Sequence, residues 1–177
     1  MLTHHRKPVS LSLVSTDLPI WSVLETAATL YQKDSDRFHL LLTAPPVKSS
    51  EATKPTPKDH ILAKQPFSRL PGQPKISQAT SPRILWLEIS PYRVTMTMQG
   101  NAQLSYRHFW ERGIYGISRY WLPTESMPPN APIRLRNFTR SLILTGHPLP
   151  EHLQVEYELW AGKVQLGCYI LNLEIKH

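Results

Sequence analysis

Cysteine is all but missing from this 177-residue chain, where Cys168 stands alone. No internal disulfide can form, so stability has to come from a packed core. The same scarcity points to a reducing, cytoplasmic setting. Glycine is sparse as well, at seven residues. There is no Gly-rich phosphate loop and no G-x-S-x-G nucleophile elbow. No stretch approaches the roughly 18–20 continuous apolar residues of a transmembrane segment. Near the N-terminus, basic residues precede a short apolar run that Ser interrupts and that Asp17 and Pro19 follow. A secretory signal needs a longer apolar region and a small-residue cleavage site.

The residues that carry chemistry are scattered. The eight His stand at 4, 5, 39, 60, 108, 147, 152 and 177, with neither the i, i+4 pairing nor the Cys partners of a zinc signature. His147 and His152 flank one turn and with His108 form the nearest approach to a trio; they read as polar turn and strand residues. Cys168 falls in the last expected strand, where a free thiol behaves as a small hydrophobe. Glu156 and Glu158, two apart on a one-sided strand, read as a solvent face. Glu88 alone is out of place, in an otherwise apolar run, and pairing with an Arg is the expected reason. The expectation is a binding protein with no catalytic residues, no metal and no cofactor.

Proline, by contrast, is abundant, at 17 residues, about twice average usage. Eight of these fall within residues 44–82 among Lys, Ser, Thr and Gln. Proline at this density removes backbone donors and breaks helix and ladder alike. Three segments follow: 1–43, 44–82 as a flexible linker, and 83–177 as a β domain.

In the front segment, alternation over residues 9–14 predicts a short strand. Asp17 then reads as an N-cap with Pro19 in the first turn. Ile20, Leu24, Ala27 and Tyr31 recur at helical spacing, so a helix to about Gln32 is expected. A strand over residues 38–42 closes the segment. From Arg83 onward, runs with period 2 are spaced by turn residues. Residues 84–89 are apolar on both faces; the runs over 92–99, 102–107, 114–122, 133–145, 153–160 and 164–175 follow. In the last run the apolar phase shifts by one at Gly167, the mark of a β-bulge. The expected fold is α+β, mainly β: an antiparallel sandwich or small barrel with one N-terminal helix packed on it.

Charge supplies the functional expectation. The chain carries +7, and residues 83–140 hold eight Arg and no Lys against three acids, whereas residues 141–177 hold two Lys against four Glu. Arg presents a planar fork suited to carboxylate, phosphate or an aromatic face. Arg93, Arg107, Arg119, Arg134 and Arg136 all fall on expected strands, with Tyr106 and Tyr120 among them. These seven residues are the candidate binding set. They predict a non-enzymatic interaction module whose basic sheet face docks onto a larger protein assembly, through an acidic partner. The alternative is single-stranded RNA or DNA, phosphates on Arg and bases stacked on aromatic rings.

Overall fold

A computed structural model describes residues 4–44, 82–100, 104–122 and 131–177. Ten antiparallel strands follow one another around a closed barrel. They are β1 (His4–Ser15), β2 (Trp21–Gln32), β3 (Phe38–Ala44), β4 (Arg83–Ile89), β5 (Arg93–Gln99), β6 (Ser105–Glu111), β7 (Tyr115–Trp121), β8 (Ile133–Thr145), β9 (His152–Ala161) and β10 (Val164–Ile175). Each pairs with its sequence neighbours, and β10 returns to β1 in register from Val9–Ile175 to Ser15–Tyr169. The front segment thus supplies three staves of the same barrel as the rear. The expected linker, apart from its terminal residues, lies outside the described residues.

The architecture corrects the expected α+β class and the sandwich. Among the described residues there is no helix, and the segment read as helical is the strand β2. A four-residue spacing such as Ile20–Leu24 or Leu24–Ala28 suits either period, being close to one helical turn and equal to two strand repeats. Leu24, Ala28 and Leu30 face inward, two of them fully buried, while Trp21, Val23, Glu25 and Ala27 are exposed. Val23, Thr26 and Thr29 add β-branched stiffness that suits a strand. Pairing with β1 from Val14–Trp21 to His4–Tyr31 decides the matter.

Strand alternation places one face of every stave inside the barrel. Leu40, Leu87, Val94, Trp110, Val155 and Leu173 are fully buried there. The outer wall carries most of the charges of the described strands, together with exposed apolar residues such as Trp21, Val23 and Trp86. No helix among the described residues is long and apolar enough to cross a membrane. Two register shifts shape the wall, one at Leu166, beside Gly167, between β9 and β10 and one at Arg140 between β8 and β9. At Gly116 a side chain is excluded, since a Cβ there would stand 2.2 Å from the Phe109 carbonyl oxygen.

Asp17, read as a helix cap, serves a turn instead. Its Oδ1 accepts from the Cys168 N–H at 2.9 Å and from the Ser15 hydroxyl at 2.8 Å. The Cys168 amide, then Ser15, hold its carboxyl below the usual carboxylate range. A depressed folded value means the contribution is present at neutral pH and lost as pH falls through that value. Asp17→Asn should therefore lower the melting temperature at pH 6, with the gap to wild type closing by pH 3 in thermal scans.

Thr139 is fully buried, and its Oγ1 has no hydrogen-bond partner among the described residues. Burying an unsatisfied hydroxyl costs about 1–3 kcal/mol. Thr139→Val keeps the shape and removes the hydroxyl. It should stabilise the fold by about 1 kcal/mol, or about 2–4 °C in melting temperature. A destabilised variant would mean the hydroxyl is satisfied.

Candidate functional site

Among the described residues, the wall made by β6, β7 and β8 carries a row of three Arg in consecutive ladders without an acid partner. Arg107 stands opposite Arg119, and Arg119 opposite Arg134, in consecutive ladders. Side chains directly opposite on adjacent strands have Cβ atoms about 4.5–5.5 Å apart. Three guanidinium groups therefore sit side by side on the outer surface. Arg107 and Arg134 are exposed and Arg119 is half-buried. None of the three forms an ion pair with a described residue, in contrast to Arg37, Arg93 and Arg140. Trp121 and Ile117 flank Arg119 on the same face of β7, and Ile117 is exposed.

The other candidate residues divide by location. Arg93 is bound to Glu111 across β5 and β6, with its Nε 3.0 Å from the carboxylate and its carbon 5.2 Å over the Phe109 ring. Arg136 donates to the Gly162 carbonyl at 3.0 Å and lies 5.1 Å over the Tyr115 ring. Tyr106 and Tyr120 point the other way, into the barrel, as neighbours of Arg107 and Arg119 in sequence must. Their rings meet His108 at 5.1 and 5.3 Å. The binding set is thus split across the wall: a contiguous outer row of three, two partnered Arg at its margins, and two interior Tyr.

Sequence reasoning missed the interior cluster around His108. Its imidazole stacks on the Trp110 ring at 4.9 Å, and Tyr157 approaches Trp110 at 5.0 Å. His108 Nδ1 lies 2.8 Å from Ser118 Oγ, and Asn137 Nδ2 donates to that same oxygen at 2.8 Å. A neutral imidazole completes the set in either tautomer, accepting from the serine hydroxyl or donating to it. The resemblance to a nucleophile–base pair stops at the distance. Ser118 is fully buried, and the third residue holds the serine instead of orienting the histidine. The signal lies in the even spacing along β6, which puts Tyr106, His108 and Trp110 on one face.

The remaining sequence candidates lie apart. Glu88 is exposed on the outer wall, opposite His39 and Thr95, beside an open polar groove that also includes Arg37, Arg93 and Glu111. His147 is exposed in its turn and His152 lies in β9, so neither joins the buried His108. Glu158 is buried and held by Arg140 and by Trp160 Nε1 at 3.0 Å. Cys168 is half-buried, with Gln165 Nε2 at 3.0 Å from its sulfur.

No protein-family model matches the chain, and no curated protein matches its sequence. Among solved structures, the crystal structure of the ywiB protein from Bacillus subtilis is similar, with a TM-score of 0.52. The two are 11% identical, over 97% of this chain and 94% of that one. At that identity the likeness speaks for the barrel fold alone and assigns no residue a role.

Burial lowers the pKa of His108 from 6.5 to about 4. Between those values the unfolded chain binds a proton that the fold excludes. Stability is full above pH 6.5 and falls as pH drops toward 4, by about 3 kcal/mol in total. In urea titrations from pH 7 to 4, His108→Gln should lack that decline, whatever its absolute stability. Equal slopes in the two proteins would show that His108 titrates normally.

Proposed function

We propose that the protein is a non-enzymatic docking module whose β6–β8 wall seats an acidic protein surface within a larger assembly. The carrying observation is the row Arg107, Arg119 and Arg134, in register and without an acid partner among the described residues. Like charges set opposite one another destabilise the free protein. A carboxylate-rich partner removes that repulsion and can engage each guanidinium bidentately.

The surroundings favour a protein over other anions. Arg and aromatic residues are the side chains enriched where protein interfaces concentrate their energy. Here Tyr115 and Ile117 are exposed beside the row. The opposite sign prevails on β9 and β10, where Glu156 and Glu174 stand. A barrel charged unevenly around its girth has a preferred approach direction, which governs association rate and register. Single-stranded nucleic acid fits the same cations less well, because Tyr106 and Tyr120 face inward and the outer Phe109 and Tyr115 rings already carry the Arg93 and Arg136 guanidinium groups. A cytoplasmic location belongs to this proposal.

Fluorescence anisotropy with a labelled glutamate 20-mer tests it against a labelled thymidine 20-mer. The acidic peptide should bind with affinity that falls as salt rises. Combined Arg107→Gln, Arg119→Gln and Arg134→Gln changes should weaken it at least tenfold at a melting temperature no lower than that of wild type, whereas Arg93→Gln should change binding little. Tighter binding of the oligonucleotide would transfer the face to nucleic acid. Retention of neither probe would remove the proposal.

A further inference from the structure

The outer wall carries another row of three in consecutive ladders, centred on β1. Ser10 stands opposite Glu25 of β2 on one side and opposite Glu174 of β10 on the other. Ser10 points outward, since Val9, Leu11 and Ser15 are the buried residues of its strand. Glu25 and Glu174 are exposed and Ser10 is half-buried, the profile that Arg107, Arg119 and Arg134 also show. Neither glutamate forms an ion pair with a described residue. Lys176 stands beside Glu25 at the edge of this wall and is not paired with it. Around the barrel β1 is separated from β7 by β10, β9 and β8, so the acidic and basic walls face different ways.

The two rows have matching dimensions. Adjacent strands lie about 4.7–4.9 Å apart, so the outer members of either row are separated by roughly 9.5 Å. Set face to face, Arg107 and Arg134 meet the two carboxylates, and Arg119 meets the Ser10 hydroxyl, which can accept from it. Four residues along the central strand of each wall, about 13 Å from the row, the surface turns apolar. There Val14 is exposed beside Ile170 on the acidic wall, and Tyr115 is exposed beside Phe138 on the basic one. With two barrels side by side and antiparallel, the charged rows coincide and Val14 faces Tyr115.

We propose that the acidic partner of the arginine row is another copy of this chain, which presents Glu25, Ser10 and Glu174. The inference rests on the docking reading and names the surface that the row seats. Each contact holds two guanidinium–carboxylate pairs and relieves the repulsion within the arginine row. The two walls are different surfaces of one barrel, so the contact is heterologous. Every added copy brings a free row with it, and association runs on from chain to chain instead of stopping at a dimer. Convex barrels touch along a strip about three strands wide, which gives a small, salt-sensitive contact.

Sedimentation velocity of the full chain tests this. At low salt the average mass should climb from the 20.3 kDa of one chain as concentration rises from micromolar to millimolar, with no plateau at two chains. Sodium chloride at about 1 M, which screens charges beyond roughly 3 Å, should restore the single chain. Combined Glu25→Gln and Glu174→Gln changes should weaken association at least tenfold and leave binding of the labelled glutamate 20-mer no weaker than in wild type. The combined glutamine variant of Arg107, Arg119 and Arg134 should lose both. Mixed in equal amounts, these two variants should form a one-to-one complex and nothing larger, because one intact pair of walls remains between them. A chain that stays single at low salt overturns the inference, as does association indifferent to Glu25→Gln and Glu174→Gln. Failure of the two variants to complement each other, when thermal melting shows both folded, overturns it too. Where the single chain still binds the glutamate 20-mer through the arginine row, the docking reading survives and only this partner falls; loss of the peptide as well removes both.

Discussion

The seam between β1 and β10 is the constraint on which everything else in this molecule rests. Seven residue pairs, from Val9–Ile175 to Ser15–Tyr169, join the two ends of a ten-strand sheet. Left open, both strands would be edges with unpaired backbone groups. Their inward leucines would also face water, since Leu11 and Leu13 pair with Leu173 and Leu171 across that seam. Closure makes a single continuous wall whose two surfaces have different solvents.

That wall explains why one run of sequence serves two chemistries. Along β6 the inward residues Tyr106, His108 and Trp110 build an aromatic interior, while Arg107 and Phe109 stand on the outside. Neighbouring strands hold their alternation in phase with it, so Arg107, Arg119 and Arg134 line up without any of them being adjacent in sequence. Where phase must change, a residue is inserted. Arg140 marks such a point, and there it makes an ion pair with the buried Glu158. The barrel therefore has a neutralised cation at the β8 bulge and a band of three without acid partners among the described residues, which starts on the same strand at Arg134 and runs across β7 to β6.

Most of the β architecture is legible in the sequence because period 2 is a strong local signal when turns punctuate it. Six of the seven rear strands fall within a residue of where the pattern puts them; the other, β6, runs to Glu111 where the pattern ends it at residue 107, and the expected bulge lies at Leu166, immediately before Gly167. The segment that forms β2 reads as a helix because Leu24 and Ala28, four apart, satisfy both periods, and only its pairing with β1 resolves the ambiguity. Sheet closure is not legible, since no local pattern says that residue 9 meets residue 175. The outer arginine row is half legible. Strand parity alone separates Arg107 from Tyr106 and Arg119 from Tyr120, and so divides the candidate set between the two faces of the wall. Register is what brings three distant arginines together, and register belongs to the whole sheet.

The long return from β10 to β1 also bears on how the polypeptide is made. Strand pairing elsewhere is between neighbours, so each hairpin can form soon after its second strand leaves the ribosome. β1 is different: it finds β2 at once, but its other side waits for some 160 residues of further synthesis. At about 5–20 residues per second that interval is roughly ten to thirty seconds. Throughout it the nascent chain presents a half-satisfied ribbon that any other extended segment can extend, a hazard best met by a holding chaperone.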